Sequence, residues 1–128
     1  MIMNKVIRSE GAPAAVGPYS QAISSGDLVF CSGQLGLDPA TGRLAGGSAK
    51  EQVKRCLLNL EAVLSAAGLS MSDVVKTTIF LVDMEEFKDV NEAYAAFFDE
   101  DPPARSTVGV STLPLGARVE VEAIASRR

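Results

Sequence analysis

The stretch Val74-Val75-Lys76-Thr77-Thr78-Ile79-Phe80-Leu81-Val82 constrains the fold of this chain more than any other. It is dense in β-branched residues, and both of its alternating faces carry apolar side chains, the pattern of a central strand covered on two sides. Helical repeats flank it. Val53, Cys56, Leu57, Leu60, Val63, Leu64 and Ala67 recur at helical spacing behind Ser48-Ala49-Lys50-Glu51, a capping-box pattern, and Gly68 stands where a helix would end. Phe87, Val90, Tyr94, Phe97 and Phe98 form a second stripe, with Asp83 and Glu86 as capping candidates and Pro102-Pro103 beyond its end.

The remaining elements read as strands. Residues 19–24 and 27–32, joined by Ser25-Gly26, give a hairpin signal, and residues 106–111 and 118–125 are separated by Leu113-Pro114-Leu115-Gly116. Residues 12–18 are a loop punctuated by Pro and Gly, and residues 33–47 a long connection with Asp38-Pro39 and Thr41-Gly42 as turn formers. The order β-β-α-β-α-β-β, with room for a further N-terminal strand, predicts an α+β fold: one mixed sheet with two helices on one face. Two helices cover only that face, so the other is expected to meet another subunit. At 128 residues and 47% hydrophobic, the chain fits a single domain over residues 1–128.

Charge and composition argue against several function classes. A formal net charge of −4 argues against a surface built to neutralise phosphates, so no nucleic-acid partner is expected. There is no GxGxxG fingerprint, P-loop, CxxC or metal-ligand cluster. The longest apolar runs, near residues 28–31 and 79–82, are too short to span a bilayer. Residues 1–9 contain Lys5 and Arg8 and no apolar core of a secretory leader, which makes Cys31 and Cys56 free, mostly buried thiols in a reducing cytoplasm.

A chain without histidine has few ways to do chemistry. Arg105, in Pro102-Pro103-Ala104-Arg105-Ser106-Thr107-Val108, shares a strand face with Thr107 and Gly109, and Glu120 shares one with Glu122. With a short turn between the two strands, Arg105 and Glu120 are expected to converge. A guanidinium fork holds a carboxylate through two parallel hydrogen bonds, and a nearby glutamate can serve as a base or orient water. The residues alone leave a plainer reading open, a structural cross-strand ion pair. By the same reading Tyr19 is as well explained by a half-buried strand aromatic, Gly33 by a bulge or turn, Asn91 by a helix-to-loop hydrogen bond, and Glu122 by a solvated charge.

Six segments together give a more specific reading: Gly17-Pro18-Tyr19-Ser20-Gln21-Ala22, Cys31-Ser32-Gly33-Gln34, Val75-Lys76-Thr77-Thr78-Ile79-Phe80, Val90-Asn91-Glu92-Ala93-Tyr94, Pro103-Ala104-Arg105-Ser106 and Val119-Glu120-Val121-Glu122-Ala123. In that order over nearly the whole chain, they resemble the RidA family of enamine/imine deaminases. The resemblance implies a chorismate-mutase-like fold assembled as a homotrimeric barrel with ligand sites between subunits. It implies that Arg105 binds a substrate carboxylate, that Glu120 positions or activates water, that backbone groups at Gly33 and Thr107 help hold the ligand, and that Tyr19 lines the cleft. The implied reaction is hydrolysis of 2-iminopropanoate, its tautomer 2-aminoacrylate, and 2-iminobutanoate, to a 2-oxo acid and ammonia, and because the imine is already electrophilic it implies neither a metal nor an organic cofactor. A trimeric carboxylate-binding regulator or stress chaperone without turnover is the alternative. The chain departs from the pattern at Pro102, where many relatives carry an aromatic, at Thr107, where many carry cysteine, and in a short Asp99-Glu100-Asp101 loop.

Overall fold

A computed structural model describes residues 4–127. Its strands are β1 (Lys5–Ile7), β2 (Ala22–Ser25), β3 (Leu28–Leu35), β4 (Val74–Leu81), β5 (Ala104–Gly109) and β6 (Val119–Ser126), and its helices are α1 (Ala49–Ala66) and α2 (Phe87–Ala95). Among the described residues these strands form one six-stranded sheet in the order β1-β2-β3-β6-β4-β5. Neighbours are antiparallel except β4 and β5, which run parallel through the α2 crossover. The expected α+β sheet with two helices on one face is therefore present, including the extra N-terminal strand.

Local chemistry explains the helix ends. Ser48 accepts a hydrogen bond from the Glu51 amide while the Glu51 carboxylate accepts from the Ser48 amide, satisfying two donors that α1 would otherwise leave free. At the other end Gly68 adopts φ of 76°, and the amides of Gly68 and Leu69 donate to Ser65 and Leu64, a closure that favours glycine. Asp83 caps a short 3-10 turn ahead of α2 by accepting from the Glu85 amide. Glu86 stands at the N-cap position of α2 but makes no side-chain capping bond there. Its carboxylate instead accepts from the Ala49 amide and from Arg118, binding the start of α1 to the start of β6.

The core lies between the helices and the inward strand faces. Val29 and Cys31 of β3, Ile79 and Leu81 of β4, and Val119, Val121 and Ala125 of β6 pack against Val53, Leu57, Leu60 and Leu64 of α1 and Val90 of α2. Each large apolar side chain buried there contributes about 1.5–3 kcal/mol. The opposite sheet face has no such cover: Leu28, Phe30 and Val108 remain 38%, 43% and 40% exposed.

Several boundaries differ from the sequence expectation. β2 begins at Ala22, leaving Tyr19 in a loop, because the Gln21 side chain ties that segment to Ser9 and Pro13 instead of to a strand. β3 continues through a bulge to Leu35, and α2 stops at Ala95 and unwinds through the 3-10-like bonds Phe97 to Tyr94 and Phe98 to Ala95. The largest difference concerns β5 and β6. They are not neighbours, because β4 lies between them, and their connector is fastened at both ends to the end of β4, with Val110 donating to Leu81 and Val82 to Arg118. Strand alternation fixes which residues share a face but not which strands lie side by side.

Candidate functional site

The sequence-predicted residues fall into two groups on opposite faces of the sheet. Arg105 and Thr107 lie in register with Thr77 and Ile79, both buried beneath the helices, so they project to the helix-covered side at the β5 edge. The Arg105 guanidinium carbon stands 5.0 Å from the Tyr94 ring centroid and 5.7 Å from that of Phe87. Among the described residues no hydrogen bond or ion pair engages the guanidinium; the ion pairs there are Lys50–Glu92, Arg118–Glu86 and Arg118–Asp83. A structural pair between Arg105 and a glutamate is thus replaced by ring contacts. Beside it a cleft of about 350 Å³ is lined by Asn91, Tyr94, Phe98, Asp99, Pro103 and Arg105.

Buried polar atoms mark this side. The Thr77 and Tyr94 hydroxyls share a 2.7 Å hydrogen bond, and burial pushes the Tyr94 pKa up, opposed by that bond and by the Arg105 charge. The Thr107 Oγ1 and Asn91 Oδ1 atoms are buried with no hydrogen-bond partner among the described residues. The helix-to-loop bond expected of Asn91 is therefore not made through its carbonyl oxygen. Buried acceptors of this kind are normally paired, so each is an unfilled demand.

Glu120 lies on the uncovered face, opposite Leu35 of β3 and Phe80 of β4. The β3 bulge between Cys31 and Gln34 brings Gly33 against it so closely that a Cβ there would overlap the carboxylate. Gly33 thus serves both a bulge and a close approach. Partial burial, and then the neighbouring Glu122 charge, raise the Glu120 pKa above the ordinary carboxylate value. The same bulge is joined to the Tyr19 loop: Ser32 donates from its hydroxyl to Ser20 at 2.6 Å and from its amide to Gln21 at 2.9 Å. Tyr19 itself is 51% exposed, with its amide bonded to Gly17.

Within one chain, Gly33 and Glu120 are brought together and Arg105 and Glu120 are not. The expected convergence assumed adjacent strands, whereas β4 intervenes and the two side chains leave opposite faces. Phe87, Ser32 and Gln21 were not singled out for these contacts, although Phe87, Asn91 and Tyr94, at i, i+4 and i+7, share the face of α2 that meets Arg105. Among the described residues no group of three or more Cys, Asp or Glu side chains could hold a metal, and no helix is long and apolar enough to cross a membrane. A wider depression of about 1140 Å³, bounded by Glu61, Ser70, Phe97 and Asp101, contains none of the predicted site residues.

These features define an α+β protein with a cation at an open strand edge and a partly desolvated carboxylate on the uncovered sheet face. The family model described as Endoribonuclease L-PSP matches residues 9–127, and the chain belongs to that family, the one recognised in its motifs as RidA. It is 49% identical to a 2-iminobutanoate/2-iminopropanoate deaminase of Mus musculus over 97% of this chain and 92% of that protein. Among solved structures it resembles RidA of a Psychrobacter species at 44% identity, with a TM-score of 0.92 and coverage of 95% and 98% of the two chains. It also resembles E. coli TdcF with bound serine, at 41% identity, a TM-score of 0.93 and coverage of 97% and 99%.

Proposed function

We propose that this chain is an enamine/imine deaminase that hydrolyses 2-iminopropanoate, its tautomer 2-aminoacrylate, and 2-iminobutanoate to 2-oxo acids and ammonia. The observation that carries the reading is the Glu120 carboxylate, partly desolvated, raised in pKa and set against the Gly33 backbone. A base made more basic by its surroundings is suited to take a proton from water and return it. The name of the mouse relative supports the same chemistry.

The working unit in this reading is a cytoplasmic homotrimer of single-domain chains. Exposed Leu28, Phe30 and Val108 on the uncovered sheet face supply apolar surface for a second copy. Arg105 and Glu120, on opposite faces, then meet across the interface in a closed ring. Arg105 grips the substrate carboxylate. Glu120 of the adjoining chain accepts a proton from water as the oxygen adds to the C=N carbon and passes it to the nitrogen. The carbinolamine collapses as Glu120 carries its hydroxyl proton to the amino nitrogen and the C–N bond breaks, which releases ammonia and the 2-oxo acid. The Gly33 and Thr107 backbones and Tyr19 complete the enclosure. The electrophile is already present in the imine, so positioning and charge stabilisation suffice without an added cofactor.

The bound serine of E. coli TdcF favours a second reading, a trimer that binds small carboxylates without turnover. The endoribonuclease of the family description fits this chain less well, since net charge −4 and the lack of histidine leave little to neutralise phosphates or act as a neutral-pH base. The test generates imine with a threonine/serine dehydratase and follows 2-oxo acid release. Arg105→Ala and Glu120→Ala are each expected to abolish acceleration, and their co-assembly to recover about one quarter of wild-type activity, because some interfaces then hold one intact copy of each residue. Carboxylate binding without acceleration by wild type would establish the second reading, and no recovery in mixed trimers would refute the shared site.

A further inference from the structure

We propose that Tyr94 and Phe87 are positioning residues that hold the Arg105 guanidinium by its flat faces and leave its N–H donors directed to the ligand. The inference rests on the carboxylate-anchor role of Arg105 given above and assigns how that anchor is prepared. Both ring centroids lie within the roughly 6 Å range in which a cation is attracted to the negative face of an aromatic ring. An acidic partner would hold the side chain too, but it would occupy the fork and neutralise the charge that must recruit the carboxylate. Ring contacts do neither.

The rings are themselves held. Tyr94 is only 5% exposed, its hydroxyl is bonded to Thr77, and its ring lies 4.7 Å from that of Phe98. Thr77 is the β4 residue directly in register with Arg105, so the ring is pinned to the same rung of the sheet that carries the cation. Phe87 and Tyr94 are seven residues apart, two turns along α2, and so reach the guanidinium from one helical stripe. Arginine loses considerable rotamer freedom on binding, and fixing it beforehand places that loss in the folding of the protein instead of in ligand capture.

The test separates the ring from the hydroxyl. Titration with 2-oxobutanoate, an unreactive small carboxylate, is compared with its uncharged amide for wild type, Tyr94→Phe, Tyr94→Leu and Phe87→Leu, alongside kcat and KM on imine. Tyr94→Leu is expected to weaken 2-oxobutanoate binding and raise KM about tenfold with kcat nearly unchanged. Phe87→Leu, at the more distant ring, changes both in the same direction by less. Tyr94→Phe keeps wild-type affinity although it leaves Thr77 without its partner and lowers stability, and amide binding does not change. Arg105 side-chain proton resonances, shifted upfield by the rings, return toward ordinary values in both leucine variants. Wild-type affinity in folded Tyr94→Leu and Phe87→Leu, equal weakening in Tyr94→Phe, or no ring-current shift in wild type would overturn the proposal. Because the 2-oxobutanoate titration and the Arg105 resonances need no turnover, absence of imine hydrolysis by wild type would remove the deaminase reading and still leave the ring contacts decided.

Discussion

Replacement of Gly33 by alanine separates the fold of this protein from its chemistry. A methyl group on Gly33 would lie 2.8 Å from the Glu120 Cδ and 3.1 Å from its Cγ, and would overlap the nearer carboxylate oxygen. Ordinary contact begins near 3.4 Å, so the Glu120 Cδ has to withdraw by about half an ångström and the overlapping oxygen by about an ångström or more. Gly33 has no positive φ, so the backbone itself admits alanine. The obstructing atoms belong to the free end of a half-buried side chain, which places the stability loss at the low end of overpacking, about 1 kcal/mol, or a fall in Tm of about 5 °C. A displacement of that size at a group positioning the reacting water lowers kcat about a hundredfold. Thermal unfolding and the dehydratase-coupled assay read the two effects on one preparation. Near-wild-type kcat in folded Gly33→Ala would refute the close-approach reasoning, because the Glu120 position would then not matter to the reaction.

Glu120→Gln tests the same carboxylate by linkage. Since the folded pKa is raised, the native state retains a proton that the unfolded chain releases near 4.5, so stability falls as pH rises through the interval above 4.5 up to the folded value. Compared in an Arg105→Ala background, which removes the guanidinium that an adjoining chain brings to Glu120, the variant lacks this loss: it should unfold at a higher temperature than its Glu120 parent at pH 7 and lose that advantage below pH 4.5. An equal or lower Tm at pH 7 would mean that the carboxylate is not desolvated at a cost to the fold. The thiols make a separate prediction: burial pushes Cys31 up to about 12 and Cys56 further. Native protein at pH 8 should therefore resist iodoacetamide and take two adducts only after denaturation, as read by intact mass; rapid native alkylation would contradict the packing of β3 and α1.

What was legible in the sequence was what depends on local periodicity. The both-faced apolar run at residues 74–82, the Ser48–Glu51 capping box and the glycine after α1 each report a short-range requirement, and each has its counterpart in the structure. Strand adjacency was not legible, because β5 pairs in parallel with β4 through a helix and β6 enters on the other side of β4, relations carried by no short motif. The site divided along the same line. The closeness of Gly33 to Glu120 was compatible with the motifs but depended on a bulge, and the placement of Arg105 away from Glu120 followed from the unforeseen strand order. Tyr19 was misread as a strand residue because alternation in residues 19–24 gave no sign that the buried Gln21 side chain would claim the loop backbone.

The position of β6 also sets an order of events during synthesis. It is the last of the described strands along the chain, yet it is the one that joins β3 to β4. Before it emerges, the nascent polypeptide can form two separate ribbons, β1-β2-β3 and β4-α2-β5, each presenting an unpaired edge to the gap that β6 will fill. Those edges are templates for any extended strand that arrives first. While β4 is present and β6 has not yet emerged, both edges stand open at once, and β6 is the clasp that closes them.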